Sequence, residues 1–217
     1  MAEASYEKSP AREYFESIVI AVILALFVRT FVVQAFKIPS GSMEDNLLVG
    51  DHLLVNKFVY GGAPTAIERA LLPVRDIRRG DVIVFKFPKE PDRDFIKRVI
   101  ALPGETVELR RKSVYINGAP IDEGPFHLKL KYPVPPEGAP QQDLVDSYGP
   151  VMVPPDHLFV MGDNRDDSLD SRYWHFLPMN YVKGRAMTIY FSYDPDATGP
   201  ASVITSIRWR RLLRQVH

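Results

Sequence analysis

The chain has 217 residues, with 27 lysines and arginines against 27 aspartates and glutamates, a formal net charge of zero and a hydrophobic fraction of 46%. That size allows one or two domains and a core that needs no covalent staple, and the balanced charge gives no electrostatic reason to expect a nucleic-acid partner. The absence of cysteine excludes disulfides, thiolate metal sites and cysteine catalysis.

The first predicted element is a transmembrane helix from Phe15 to Phe36, after a tail of residues 1–14. Ile18 to Val28 is uncharged and almost wholly apolar. As a helix the whole segment spans ~33 Å at ~1.5 Å per residue, enough to cross the hydrocarbon layer. Arg29 and Gln34 interrupt the pattern, and Arg29 is near enough to the helix end for its side chain to reach the interface. Two other readings compete. Lys8 and Arg12, an apolar run and Val33-Gln34-Ala35 have the layout of a cleaved secretory signal, although Arg29 is out of place in one. A buried core helix needs helical partners, which the neighbouring sequence does not offer. The flanking charges are nearly balanced and set no orientation.

Ile38-Pro39-Ser40-Gly41-Ser42-Met43 follows directly. Pro39 and Gly41 force a shaped loop, in which a serine can be exposed and neighbouring donors can converge on one oxygen. Taken alone, Ser-Gly-Ser is more often a flexible loop.

Residues 37–217 otherwise read as β structure. Asp51 to Val59, Val82 to Phe85 after Arg79-Gly80-Asp81, and Phe95 to Ala101 are strands. Thr106 to Leu109 and Val114 to Ile116 form a pair, with Asn117-Gly118 as a tight turn after the second. Tyr181 to Ser192 is a late strand. Gly61 to Pro73 reads as a loop with a short helix at Thr65 to Leu72. Tyr132 to Pro155, with seven prolines and little periodicity, reads as an extended insertion. The expected fold is mainly β: a coiled antiparallel sheet behind an N-terminal helix, with a β-ribbon inserted over approximately 105–155.

Within the third strand, alternation puts Lys97 on one face with Phe95 and Val99, and Arg98 on the other with Ile96 and Ile100. A charged edge strand would explain two adjacent cations. A buried lysine would explain them differently: desolvation disfavours the ammonium, and a neutral amine near pH 7 is a general base. A shift of ~3 pKa units costs ~4 kcal/mol, which is found mostly at functional sites.

Gly162-Asp163-Asn164-Arg165-Asp166-Asp167-Ser168-Leu169-Asp170-Ser171-Arg172-Tyr173-Trp174 alternates aspartate with arginine. It is not a calcium loop, because Ser168 stands where the sixth position needs glycine and Trp174 where the twelfth needs glutamate. A loop ordered by Asp–Arg pairs and Asx turns fits. There is no Gly-x-Ser-x-Gly elbow and no His-Glu-x-x-His pair. His52, His127, His157 and His175 have no distinctive setting, so a Ser-His-Asp triad has no sequence support beyond the general fact that folds assemble triads. Ile207 to Arg214 is basic with apolar residues interleaved, which suits either an anionic lipid surface or a closing element with a solvated face.

Taken together and in order, these motifs resemble bacterial type I signal peptidase: Pro-Ser-Gly-Ser-Met after a membrane segment, Arg-Gly-Asp before Val-Ile-Val-Phe, Lys-Arg-Val-Ile-Ala-Leu-Pro-Gly-Glu, and Gly-Asp-Asn-Arg-Asp-Asp-Ser-x-Asp-Ser-Arg. The resemblance implies a Ser/Lys-dyad serine endopeptidase. Its catalytic domain would lie outside the cytoplasm on a single-pass anchor in the cytoplasmic membrane. Ser42 matches the nucleophile and Lys97 the base. The hydroxyl of Ser40 and the amide of Ser42 match the oxyanion hole. Ser168 matches the hydroxyl that orients the lysine, Asp170 and Arg172 a supporting ion pair, and Arg98 a structural arginine. Phe36, Ile38, Met43, Leu47 and Ile96 match the apolar positions that shape the subsites for residues −1 and −3 of a signal peptide. The implied partners are preprotein signal peptides, membrane lipid and the secretion machinery, with no nucleic acid; the implied chemistry needs no metal or other cofactor. The implied cleavage follows Ala-x-Ala.

Two departures stand out. Glu44-Asp45-Asn46-Leu47 replaces the family's residue followed by Pro-Thr-Leu, and the two acids would raise the lysine's pKa if they reached it. His175 replaces the usual glycine after Tyr-Trp.

Overall fold

The computed structural model describes residues 9–27, 33–57, 59–60, 75–126, 128–134, 146–198 and 205–217. Helix α1 covers Pro10–Phe27. Among the described residues, seven strands make the larger sheet: β1 (Val33–Lys37), β2 (Asp51–Asn56), β3 (Val82–Phe87), β4 (Glu90–Ala101), β9 (His157–Met161), β10 (Leu177–Pro178) and β11 (Val182–Ser192). Four make the smaller one: β5 (Thr106–Arg110), β6 (Ser113–Ile116), β7 (Ala119–Pro120) and β8 (Tyr148–Met152). A one-turn helix, α2, covers Ser171–Trp174. Strand order is β1-β2-β11-β3-β4-β9-β10 in the first sheet and β7-β6-β5-β8 in the second. The named strand pairs are antiparallel.

The residues explain the layout. In β2, the inward positions Asp51, Leu53 and Val55 alternate with half-buried ones, the signature of a strand with one covered face. β3 and the second half of β4 are buried on both faces. Accordingly β4 feeds three apolar clusters. Ile96 packs with Ile38, Met43, Leu53 and Ile189; Val99 with Ile83, Phe85 and Trp174; Ile100 with the second sheet through Val107, Leu109 and Val114. A strand in this position can carry a side chain into the middle of the molecule, and Lys97 and Arg98 are both there.

The β reading holds in most particulars. Leu109 pairs with Val114 and Val107 with Ile116. The Asn117-Gly118 turn has φ of 52° and 81°, the left-handed conformation that this residue pair accepts most readily. Two expectations need correction. Val33 to Phe36 is strand, not the end of a helix, because its backbone pairs with β2 in register from Val33↔Asn56 to Lys37↔His52. Tyr148–Met152, expected within an irregular insertion, is a strand on β5. The loop and helix expected at 61–73, His127, Arg29 and residues 135–145 lie outside the described residues.

Among the described residues no helix is long and apolar enough to cross a membrane. The first two turns of α1 carry Arg12, Glu13 and Glu16, which dilute the apolar run. From Tyr14 to Leu26 its large apolar side chains are exposed on all sides.

Candidate active site

Ser42 sits in a 3-10 turn, Gly41–Met43, entered through Ser40 in extended conformation. Met43 is completely buried and anchors the turn in the core. Ser42 is buried but faces a groove of about 650 Å³. Apolar Phe36, Pro39, Phe95, Ile96 and Leu169 line that groove, and Arg93, Asp94 and Asp167 lie along it.

Lys97 comes to the same point from β4. Its Nζ is 2.5 Å from Ser42 Oγ, although the two residues are 55 positions apart. The lysine is only 3% exposed. Burial pushes its pKa down from 10.5 to about 8, against the charges of Asp170 and Asp163, which raise it, and with that of Arg172, which lowers it further. Nζ also lies 5.5 Å from the centre of the Phe95 ring. The edge-strand explanation is therefore wrong: β4 lies between β3 and β9 in the sheet, and Lys97 pairs with Ile83 one residue before the β9 pairing begins at Arg98↔Met161.

The aspartate-rich loop supplies the surroundings. Asp170 caps α2 and holds Arg172 at two points, Oδ1 to Nε at 2.9 Å and Oδ2 to Nη2 at 2.8 Å, and accepts the Gly162 N–H at 3.0 Å. Burial works against the Asp170 carboxylate, but Arg172, the Gly162 N–H and Ser168 keep its pKa below the ordinary carboxylate value. Ser168 Oγ is buried beside these groups without a hydrogen bond of good geometry. Arg98 points to the opposite face of β4, where it grips Asp163 at two points and donates to the carbonyls of Gly80 and His217.

Three site residues were not singled out from sequence. Asn164 donates its backbone N–H to Ser42 O at 3.1 Å and its side-chain amide to Gly41 O at 3.0 Å, so it pins the Ser42 turn at two points. Gly162 is needed because a Cβ there would lie 2.3 Å from both Ser42 O and Ser168 Oγ. Asn46 bridges Asp163 Oδ2 and Phe126 O. A glycine and an asparagine flanking Asp163 were visible in the motif, but their close approach to Ser42 is a long-range fact.

Of the predicted substrate-contacting residues, Phe36 and Ile96 line the groove. Ile38, Met43 and Leu47 are completely or almost completely buried in the adjoining apolar cluster. Ser40 lines the groove as well.

The acidic pair after Met43 is not among the charges that act on Lys97. Glu44 turns to Lys129, at 2.8 Å, and the carboxylates that raise Lys97 are Asp170 and Asp163. Asp45 has φ of 80°, which a proline ring cannot adopt, so the departure from Pro-Thr-Leu is a change of backbone. His175 has φ of 71° and closes α2 where a glycine would be unstrained. The histidines take other partners: His52 packs against Tyr190 and Phe191, His157 bonds Pro155 O, and His175 lies 3.4 Å from Tyr148 Oη.

Comparison with known proteins adds to this geometry. Residues 11–191 match the family model described as "Signal peptidase, peptidase S26". The chain is 35% identical over 209 residues to "Signal peptidase I" of Pseudomonas aeruginosa, covering 85% of this chain and 73% of that protein. It is 33% identical over 246 residues to "Signal peptidase I" of Aquifex aeolicus, covering 91% of each. A crystal structure of a signal peptidase I from Enterococcus faecalis aligns at 30% identity and a TM-score of 0.40, covering 51% of this chain and 97% of that one.

Proposed function

The chain belongs to the signal peptidase family, peptidase S26, and from that premise we propose that it is a serine endopeptidase that removes signal peptides from preproteins, with Ser42 as nucleophile and Lys97 as general base. The observation that carries the reading is the 2.5 Å contact between Ser42 Oγ and a buried Lys97 Nζ.

With a pKa of about 8, Lys97 is partly neutral at physiological pH. The neutral amine accepts the Ser42 hydroxyl proton as Oγ attacks the scissile carbonyl carbon. The oxyanion of the tetrahedral intermediate takes hydrogen bonds from the Ser42 amide and the Ser40 hydroxyl, worth about 100-fold or more in rate per donor. The Lys97 ammonium then protonates the departing amine, leaving an ester on Ser42. The same lysine, neutral again, deprotonates the water that attacks the ester and gives that proton to Ser42 Oγ as the acyl group leaves. Phe36 and Ile96 make the groove apolar next to Ser42, which suits apolar side chains such as the alanines of an Ala-x-Ala site.

Membrane association belongs to the same proposal. An apolar side chain on every face of α1 has no place in water, and the chain is read as held at the cytoplasmic membrane by this segment, with the catalytic sheets on the extracytoplasmic side. Anionic lipid and the secretion machinery are its expected surroundings. The full chain should float with phospholipid vesicles in a density gradient; recovery in the bottom fraction would contradict the anchor.

Cleavage of a preprotein carrying an Ala-x-Ala site, with mass determination of the new N-terminus, tests the activity. The expected product begins directly after the last alanine and is absent with Ser42→Ala. Cutting elsewhere, or equal cutting by Ser42→Ala, would overturn the reading.

A further inference from the structure

Lys112 occupies the tip of a hairpin, where lysines are normally solvated, and yet it is 7% exposed. Arg110 pairs with Ser113, so Arg111 and Lys112 form a two-residue turn between β5 and β6. Their φ angles are 50° and 67°. Asn-Gly accepts that conformation readily, whereas residues with larger side chains meet a steric penalty in it. Backbone strain of this kind persists where surrounding contacts over-determine it.

The contacts are specific. Lys112 Nζ lies 2.6 Å from Asp166 Oδ1, with Tyr132 O at 3.2 Å and Asp146 Oδ1 at 3.8 Å. The second oxygen of Asp166 accepts the N–H groups of Lys131 and Tyr132 at 2.6 and 2.9 Å. Next to it, Arg165 pairs with Glu123 at 2.5 Å. Lys112 and Glu123 both come from the segment that carries the second sheet. The outer side of the aspartate-rich loop is thus gripped by that segment. Its inner side delivers Asn164 to the Ser42 turn, Asp163 to Arg98, and Asp170 to Arg172.

We propose that Lys112 is a positioning residue for peptide cleavage: through Asp166 it fixes the loop from Asp163 to Asp170, so that Asn164 holds the Ser42 turn against Lys97. This rests on the reading of Ser42 and Lys97 as the reacting pair. Lys97 touches Ser42 from the 3-10 turn and the Phe95 ring of its own strand; the charges of Asp170 and Asp163 from the loop and of Arg172 from α2 act on it from further off, Asp163 from its place on Arg98, and Arg93, Asp94 and Asp167 lie along the same groove. If the grip is lost, the loop beyond Asp163, which Arg98 still holds, shifts and takes Asp170 with it, and the amine loses part of the negative charge that favours its proton. The Ser42 turn loosens at the same time.

The double variant R111N/K112G separates this role from simple folding. It gives the hairpin its preferred turn residues while removing the lysine. Lys112→Met is the second variant, in the unaltered turn. Against wild type, with Ser42→Ala as the control for the underlying reading, the full chain should lose about 10- to 100-fold in kcat, the scale of a displacement near 1 Å at a reacting pair. KM should change little. The midpoint of the pH–rate profile should move to lower pH. Wild-type kcat with an unmoved midpoint in R111N/K112G would overturn the proposal. So would a reduced kcat with an unmoved midpoint, which would make Lys112 merely structural. If wild type itself does not cleave, it is the Ser42–Lys97 reading that has failed.

Discussion

Arg98 and Asp163 form a two-point ion pair, Nε to Oδ1 and Nη2 to Oδ2, both 2.7 Å long, with both side chains 1% exposed. The pair ties β4, which carries Lys97, to the loop that carries Asn164 and Asp170. It has no direct contact with Ser42, and its role is to set the distance between those two elements. Arg98→Met leaves the Asp163 carboxylate buried without its cation. The loss should be about 3–5 kcal/mol of stability, measured by urea unfolding. A change below about 1 kcal/mol would show that the pair is not the tie described.

Gly162→Ala should separate stability from catalysis. The new Cβ collides with a backbone oxygen, Ser42 O, at 2.3 Å, so the Ser42 turn must yield. A displacement near 1 Å costs about 100-fold in rate. Steady-state cleavage by a variant with an unaltered circular dichroism spectrum checks this; a loss under threefold would contradict the close approach.

The lowered pKa of Lys97 has a kinetic and a thermodynamic consequence. With a base of pKa about 8, the rate at pH 7 should be about a tenth of its plateau above pH 9. In the unfolded chain the amine recovers its ordinary value of 10.5. Between about 8 and 10.5 the unfolded state therefore binds more protons, and stability rises with pH. Below that window the buried ammonium costs roughly 3 kcal/mol. Lys97→Met should then be inactive but more stable than wild type at pH 7, with the gain vanishing near pH 10.5. Urea unfolding of both proteins at the two pH values checks the sign, and a less stable variant at pH 7 would reverse it.

His175→Gly should stabilise the protein by about 1 kcal/mol, because glycine meets no steric penalty at φ of 71°. The long contact with Tyr148 is a small offset. Thermal unfolding decides it; a fall in Tm would mean that the histidine ring contributes more than its backbone costs.

The sequence carried the strands whose residues alternate or run apolar, because burial leaves that imprint locally. β5 and β6 could be read as a pair from their apolar positions, and Asn117-Gly118 as the turn after β6, but their register could not, since the Arg111-Lys112 turn between them carries no turn signature. Val33 to Phe36 could not be separated from the apolar helix, because β-branched and aromatic residues suit both, and only pairing with β2 decides. Ser42 and Lys97 were legible as unusual residues in unusual settings, but their contact is a property of the fold. Asn164 and Gly162 were hidden for the same reason: neither residue type announces that a distant carbonyl will lie against it. Lys112 was hidden most completely, since a charged hairpin tip is ordinary until its partner is seen.

The central claim is that Lys97 is the base for Ser42. The most direct test is the cleavage rate of wild type and Lys97→Ala on one preprotein from pH 6 to pH 10, with both proteins shown to be folded. A loss of at least about 1,000-fold in the variant, together with a wild-type midpoint near 8, is the predicted result. A variant that cleaves within tenfold of wild type, with its midpoint unmoved, would contradict it.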